Sequence, residues 1–449
     1  MPNDKIQRIR DPIYGLIAFS PDDPVDSLCW RLVNTREFQR LRRIRQLGFS
    51  DLVYPGATHS RLAHSLGVFH NARRLLRHIK EASNHFSDRR ALVTACAALL
   101  HDVGHGPFSH AFEHAVPARR KHEHWTAEII RGDTEICNVL SAHDKELADE
   151  VADLFLRKEA KDIYDSVVSS QFDADRLDYL RRDRYMAGIG SGGFDFDWLF
   201  DALKVGKVTL GIKDDQDFSE VDGFVLGEKG LQAAESYLLA RYHLYAQVYL
   251  HKTTRAAEVM LTALLTRLVS LLRDGNLKST GLQKSDVLVR FLKSDKPRLS
   301  DYIMLDDAIV WSAIARMEAA GDGELSSLAR GLRERALFKC FDVGALTDRE
   351  KGDSLPRYKR LVKERFSAET GVPVLTDKAK LSAYGLYDYD ERGAFQKVLI
   401  GRSNGNGHDD IADRSSIVKA MVPREVYRVY CADDTLMGSL RKLWEEVRQ

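Results

Sequence analysis

A nearly unbroken apolar stretch, Ala91 to Leu100, runs straight into the pair His101-Asp102. Such a run is well short of the ~20 residues a bilayer-spanning helix needs, so it reads as the buried part of a globular helix, expected from about Asp88 to Leu100. A helix that is apolar on most sides must be surrounded by other elements, and whatever follows its end is delivered into the interior. Here the continuation is Val103-Gly104-His105-Gly106-Pro107, and residues 101–114 together hold four histidines and two acids.

The flanking chain supplies helical neighbours. Leu28, Leu32, Phe38, Leu41, Ile44 and Leu47 recur at near-helical spacing between Ser27 and Gly48. Further helices are expected over 60–80, 123–130, 144–158 and 175–184, and as one long element over Gly230–Arg273. Asp11-Pro12, Gly15, Pro21 and Pro24 punctuate a loop-rich or short-strand beginning. Beyond about residue 275 helices are expected over 284–294, 302–319 and 323–337. Short strands are expected near 395–400 and 426–431, and a flexible loop over Arg402–Asp413. At 449 residues the chain exceeds the roughly 250–300 at which single cores stop growing. The expected fold is mainly α: a helical domain over 1–270, then a C-terminal α+β lobe over 271–449 suited to regulation or oligomerisation.

Sixty-seven Lys and Arg against sixty-six Asp and Glu leave a formal charge of +1. That balance argues against a dedicated nucleic-acid binder, although a local basic pocket is compatible with it. Cys29, Cys96, Cys137, Cys340 and Cys431 lie far apart with no C-x-x-C pair, which disfavours a disulfide framework and a cysteine zinc site. With no apolar signal core in MPNDKIQRIRDP and no membrane-length segment, a cytoplasmic location is expected.

Imidazole and carboxylate both suit a divalent cation, but two adjacent residues cannot close a coordination sphere. His64 and Asp175, each in an expected helix, are the candidates to complete a bundle metal site with His101 and Asp102. On the residues alone the alternative stays open, since His-Asp pairs are common and histidines also gather in loops.

Seven ordered blocks carry more than these ligands do. DPIYGLI (11–17), TREFQRLRRIRQLG (35–48), YPGATHSRLAHSLGV (54–68), HDVGHGPFSH (101–110), HEHW (122–125), DADRLDYLRRD (173–183) and YAQVYLHK (245–252) resemble the HD superfamily of metal-dependent phosphohydrolases. They are most similar to its deoxynucleoside triphosphate triphosphohydrolase branch, which includes the animal enzyme that joins a sterile-alpha-motif to an HD domain. The resemblance implies an HD-domain helical bundle and a divalent metal (Mn, Mg, Fe, Zn or Ni) on His64, His101, Asp102 and Asp175. It implies catalytic roles for His105, His110 and Glu113, with His122 nearby. Substrate contacts would come from Gln46, Leu47, Arg61, Arg176, Tyr179, Asp183, Arg241, Tyr245, Tyr249 and Lys252. Glu113 stands where the animal enzyme has Asp, and Tyr245 where a histidine is expected.

Spacing is consistent with that list. Arg176, Tyr179 and Asp183 share one helix face, as do Arg241, Tyr245, Tyr249 and Lys252. Arginine, lysine and tyrosine together suit a triphosphate and a sugar ring, though the same tyrosines also fit an aromatic core stripe. The implied reaction is attack of metal-activated water on the α-phosphorus. His105 would steady the α-phosphate, and His110, oriented by Glu113, would protonate the leaving 5′-oxygen.

The branch also implies a homo-oligomer and a nucleotide activator near Asn34, Gln39 and Arg42. Asn34 replaces an Asp that reads guanine, and with one acceptor oxygen it cannot take both guanine donors, so guanine-specific activation is not expected. Arg40, Arg43 and Arg45 are either phosphate contacts beside Arg42 or a solvated basic face. Two other functions remain open from sequence: an HD phosphodiesterase or 5′-nucleotidase, and a non-catalytic nucleotide sensor or nucleic-acid-binding protein.

Overall fold

The computed structural model describes residues 5–82, 85–116, 120–157, 162–210, 219–343, 354–366, 374–382, 384, 393–402 and 407–448. The chain opens with a hairpin, β1 (Gln7–Asp11) antiparallel to β2 (Gly15–Phe19). Asp11 Oδ1 makes its turn by accepting from the amides of Ile13 and Tyr14 at 2.8 and 3.1 Å, and Gly15 takes φ +73.

Helices then dominate: α1 (Pro24–Val33), α2 (Arg36–Arg40), α3 (Arg61–Ala82), α4 (Asp88–Leu100), α5 (His110–Ala115), α6 (His122–Arg131), α7 (Glu135–His143), α8 (Leu147–Leu156), α9 (Ile163–Val168) and α10 (Ala174–Ala187). Local chemistry sets the ends. Ser87 Oγ accepts from Arg90 N at 3.2 Å to start α4, and Asp173 Oδ1 accepts from Arg176 N at 2.7 Å to start α10. Gly188 ends α10 in the left-handed conformation at φ +68. As its composition predicts, α4 is central: residues 93–100 are all buried, and α1, α3, α8 and α9 pack around it.

After α11 (Phe196–Ala202) and the antiparallel strands β3 (Leu203–Leu210) and β4 (Ser219–Leu226) come α12 (Leu231–Leu244) and α13 (Lys252–Arg273). Then follow α14 (Val287–Lys293), α15 (Leu299–Tyr302), α16 (Asp307–Met317), α17 (Gly323–Arg333), β5 (Lys339–Asp342), α18 (Ser354–Arg365), β6 (Leu375–Leu381), β7 (Leu399–Gly401), β8 (His408–Asp410), β9 (Arg424–Cys431) and α19 (Asp434–Arg448). One sheet has the order β3-β4-β7-β8 and another β5-β9-β6. The main core runs from Ile17 to Met421, while α18, α19 and the β5-β9-β6 sheet enclose a smaller one around Tyr358 and Trp444. The fold is mainly α.

Three expectations are corrected. The pattern over Ser27–Gly48 is not one helix: α1 stops at Val33, where Asn34 N caps back onto Trp30 O and Arg31 O, and the chain becomes extended at Ile44. Gly230–Arg273 is broken by a π-turn at Tyr245–Tyr249 and an extended His251 that caps α13. Loop-like composition over 402–413 conceals β8, which pairs with β7, although residues 403–406 lie outside the described residues. All five cysteines are free, and among the described residues no helix is long and apolar enough to cross a membrane.

Helix α3 faces α10 at Gly67, where an added Cβ would collide with the carboxylate of Asp178 and the guanidinium of Arg182. Gly67→Ala is therefore expected to cost about 1–3 kcal/mol through overpacking, read as a lower midpoint in urea unfolding.

Candidate active site

Three helices meet at the end of α4. His64 comes from the first turn of α3, His101 and Asp102 from the end of α4, and Asp175 from the first turn of α10. His64 Nε2 lies 3.0 Å from Asp175 Oδ1, 3.2 Å from His101 Nε2 and 3.8 Å from Asp102 Oδ2. The other ring nitrogens are committed. His64 Nδ1–H donates to Asp178 Oδ2 at 2.8 Å, and His101 Nδ1–H donates to Ala98 O at 2.9 Å. Both histidines thus turn Nε2 toward one point, where a proton or a metal cation satisfies them. Burial would lower the His64 pKa, but hydrogen bonds to Asp175 and Asp178 outweigh it and raise it to about 10. The pocket holds positive charge strongly, and His64, His101 and Asp175 offer ligand atoms all within 4.8 Å of one another. This donor set fits a divalent metal.

Asp102 connects this trio to a second group. Its Oδ2 accepts from Arg61 Nη1 at 2.5 Å, and its Oδ1 is 3.2 Å from His105 Nε2. Burial works against its charge, yet Arg61, His101 and His105 hold its carboxyl well below the usual range. His105 stacks on His122 with centroids 3.8 Å apart. Glu113 Oε1 lies 3.2 Å from His122 Nδ1 and 3.7 Å from His105 Nδ1. The two imidazoles are driven apart. Burial, Arg61 and His122 push His105 well below its ordinary value, whereas Glu113 and nearby acids raise His122 against its own burial. His110 begins α5, and its side chain lies outside the described residues.

His64, His101, Asp102, Asp175, His105 and His122 line a cavity of about 600 Å³, and Glu113 is not among its lining residues. Gln46, Leu47, Arg61, Arg176, Tyr179, Asp183, Arg241, Tyr245 and Tyr249 line it too. Tyr249 O–H donates to Asp183 Oδ2 at 2.7 Å, and the Tyr245 ring stands edge-on to Tyr249 at 5.1 Å. Lys252 is not brought there. The π-turn and the extended His251 reset the helical phase, leaving Lys252 exposed at the start of α13, while Arg255, one turn on, lines the cavity.

The comparisons with known proteins agree with this geometry. Residues 61–180 match the HD domain, and residues 217–303 match the HD associated region. YwfO of Bacillus subtilis is 37% identical over 341 residues, 75% of this chain and 73% of that protein. The chain belongs to the HD-domain family. Mouse deoxynucleoside triphosphate triphosphohydrolase SAMHD1 is 26% identical over 402 residues, 81% of this chain but 56% of the mouse protein. A phosphohydrolase structure from Bacteroides thetaiotaomicron superposes with a TM-score of 0.73 at 28% identity, covering 95% of this chain and 100% of that one. Membership makes this an HD-domain phosphohydrolase-type protein with dNTPase-like relatives, in a family that binds divalent metals.

Around this site, several supports had no sequence signal of their own. Asp178 is fully buried and accepts from Arg182 Nε and Nη2 at 2.8 and 3.0 Å, while Arg182 Nη1 donates to Asp11 at 2.8 Å. His59 binds Asp183 Oδ1 at 2.7 Å. Arg40, read from sequence as a phosphate contact or a solvated charge, is buried and donates to the carbonyls of Leu305, Val103 and His105 at 2.7, 3.3 and 2.8 Å. It pins the loop that carries His105, as does Tyr302 O–H on Gly104 O at 2.6 Å. Arg43 is paired with Asp306 and Arg45 with Asp51, so they do not form a free basic face. Asn34 and Arg42 are exposed, and Arg42 Nε donates to Gln39 Oε1 at 2.6 Å.

Asp178→Asn removes the carboxylate that fixes the His64 tautomer, and metal content is expected to fall with a roughly 10–100-fold loss of affinity. Burial opposes the charge of Asp178, but Arg182 and His64 hold its pKa below the carboxylate range. Its stabilisation is thus present above the unfolded value and lost as pH falls toward the folded one. The Tm–pH curve of Asp178→Asn should accordingly be flatter than wild type on the acid side.

Proposed function

We propose that the protein hydrolyses deoxynucleoside triphosphates to deoxynucleoside and inorganic triphosphate. The observation that carries this reading is the composition of the cavity. Beside the metal-donor trio it holds the guanidinium groups of Arg61, Arg176 and Arg241 and the phenol rings of Tyr179, Tyr245 and Tyr249. With Arg255, which also lines it, four arginines in a single concave site suit a chain of phosphates better than one phosphate ester. The tyrosines offer flat apolar area and hydroxyls to a sugar and base.

When bound by His64, His101, Asp102 and Asp175, a divalent metal supplies Lewis acidity at a phosphoryl oxygen and activates water. The chain's own residues do the rest. Arg61, fixed by Asp102, meets the phosphate nearest the trio. Asp173, which burial raises to about 6, nonetheless pairs with Arg176 and orients it toward the cavity. His122, its proton favoured by Glu113, adds positive charge beside His105, on which it stacks, and His105 contacts the α-phosphate. His110 keeps the general-acid role. Tyr249, held by Asp183, limits room beside the sugar and disfavours a 2′-hydroxyl.

The test is to incubate the purified protein with each dNTP, singly and mixed, in Mn²⁺ or Mg²⁺, and to separate products by ion exchange. Deoxynucleoside plus triphosphate is expected from wild type. Asp102→Ala should abolish it, and Glu113→Gln should lower kcat on the order of a hundredfold. Activity only in mixtures would indicate a nucleotide activator. Turnover of nucleoside monophosphates or cyclic diesters with all dNTPs untouched would instead identify a nucleotidase or phosphodiesterase.

A further inference from the structure

The turn between His105 and α5 adopts a backbone that its residues resist. Phe108 and Ser109 have φ +53 and +52, and Ser109 has ψ −119. Glycine occupies that region readily, and other residues reach it only under strain. The surroundings enforce it: Phe108 N–H donates to Asp307 Oδ1 at 2.9 Å and Ser109 N–H to Gly106 O at 3.1 Å. The same loop already contains Gly104 and Gly106, yet position 109 carries a side chain.

That side chain does not do what a serine before a helix ordinarily does. It accepts no hydrogen bond from the backbone of α5. Instead Ser109 Oγ accepts from Arg61 Nε at 3.2 Å and from Arg61 Nη2 at 2.5 Å. A hydroxyl has two lone pairs and one proton. With both lone pairs turned to Arg61, Ser109 has only its proton left to give, and no acceptor for it is found among the described residues. The residue is 7% exposed, and that surface lies on the cavity wall beside Arg61. An oxygen that accepts from a guanidinium is also a better O–H donor, because hydrogen bonds in series polarise one another.

We propose that Ser109 is a phosphate-binding residue, its O–H donating to a non-bridging phosphoryl oxygen of the bound ligand while its oxygen holds Arg61 in place. The assignment rests on the phosphohydrolase reading of the cavity and adds to it a donor at the strained turn.

Two variants separate the hydroxyl from the strain. Ser109→Gly removes both, and Ser109→Ala removes the hydroxyl but keeps a Cβ in the strained conformation. Each full-length variant would be melted with and without inorganic triphosphate, titrated with it, and assayed on dATP. Both are expected to lose triphosphate affinity and kcat/KM alike, on the order of ten- to a hundredfold, the worth of one hydrogen bond to a charged group. Without ligand, Ser109→Gly should melt above Ser109→Ala. Wild-type-like binding by Ser109→Gly would overturn the assignment, whether or not Ser109→Ala is impaired, and so would a wild type that triphosphate neither binds nor stabilises. If wild type binds triphosphate through Ser109 but cleaves no dNTP, the dNTPase reading fails and the assignment of Ser109 stands.

Discussion

The carboxylate of Asp178 has no exposed surface, and it joins three separate parts of the chain. It accepts from His64 on α3, is clamped by Arg182 one turn along α10, and through Arg182 reaches Asp11 in the opening hairpin. Buried ion pairs of this kind add little net stability over an apolar core, but losing one member strands the rest at a cost of about 3–5 kcal/mol. What the network provides is position. It sets which nitrogen of His64 faces His101 and Asp175, and it fixes α10 so that Asp175 arrives opposite. Gly67 is the complement of that arrangement, since only a residue without Cβ leaves room for the carboxylate between the helices.

Sequence reading succeeded where one property dominated a whole segment. Helix α4 is legible because its apolar residues leave no polar face, so burial and ends follow from composition. The long pattern over 230–273 misled because periodicity is insensitive to one extra residue. The π-turn at Tyr245–Tyr249 keeps Arg241, Tyr245 and Tyr249 on the cavity and then turns Lys252 away. The pattern over Ser27–Gly48 misled for a related reason: apolar residues at helical spacing also suit a short helix, a 3₁₀ turn and an extended stretch that return to one core. Strand β8 was hidden because Asn, Gly and Asp in its vicinity resemble a loop, and its pairing with β7 is a contact the local sequence does not encode.

At the site, the order His64, His101-Asp102, Asp175 was legible because the family resemblance picks these residues out of fifteen histidines and many acids. The supports were not. Helix α10 carries charge on nearly every side, so nothing in ADRLDYLRRDR marks Asp178 and Arg182 as interior. Arg40 sits in a stretch that reads as uniformly basic, yet it is buried under the loop that carries His105 while Arg42 points to solvent. Such differences arise from partners distant in sequence: Leu305 for Arg40, Asp11 for Arg182 and Asp183 for His59.

The break after the π-turn also determines how the cavity is fastened. Leu250 O, freed from helical pairing, accepts from Arg428 Nη1 of β9 at 2.5 Å, and Arg255 is held by Asp377 of β6 at 2.5 Å. The wall that carries Tyr249 and Arg255 is thus anchored to the small C-terminal sheet, whereas the wall that carries His64 and Asp175 is anchored to the hairpin and α10. The two walls therefore rest on different parts of the fold and meet where Tyr249 binds Asp183.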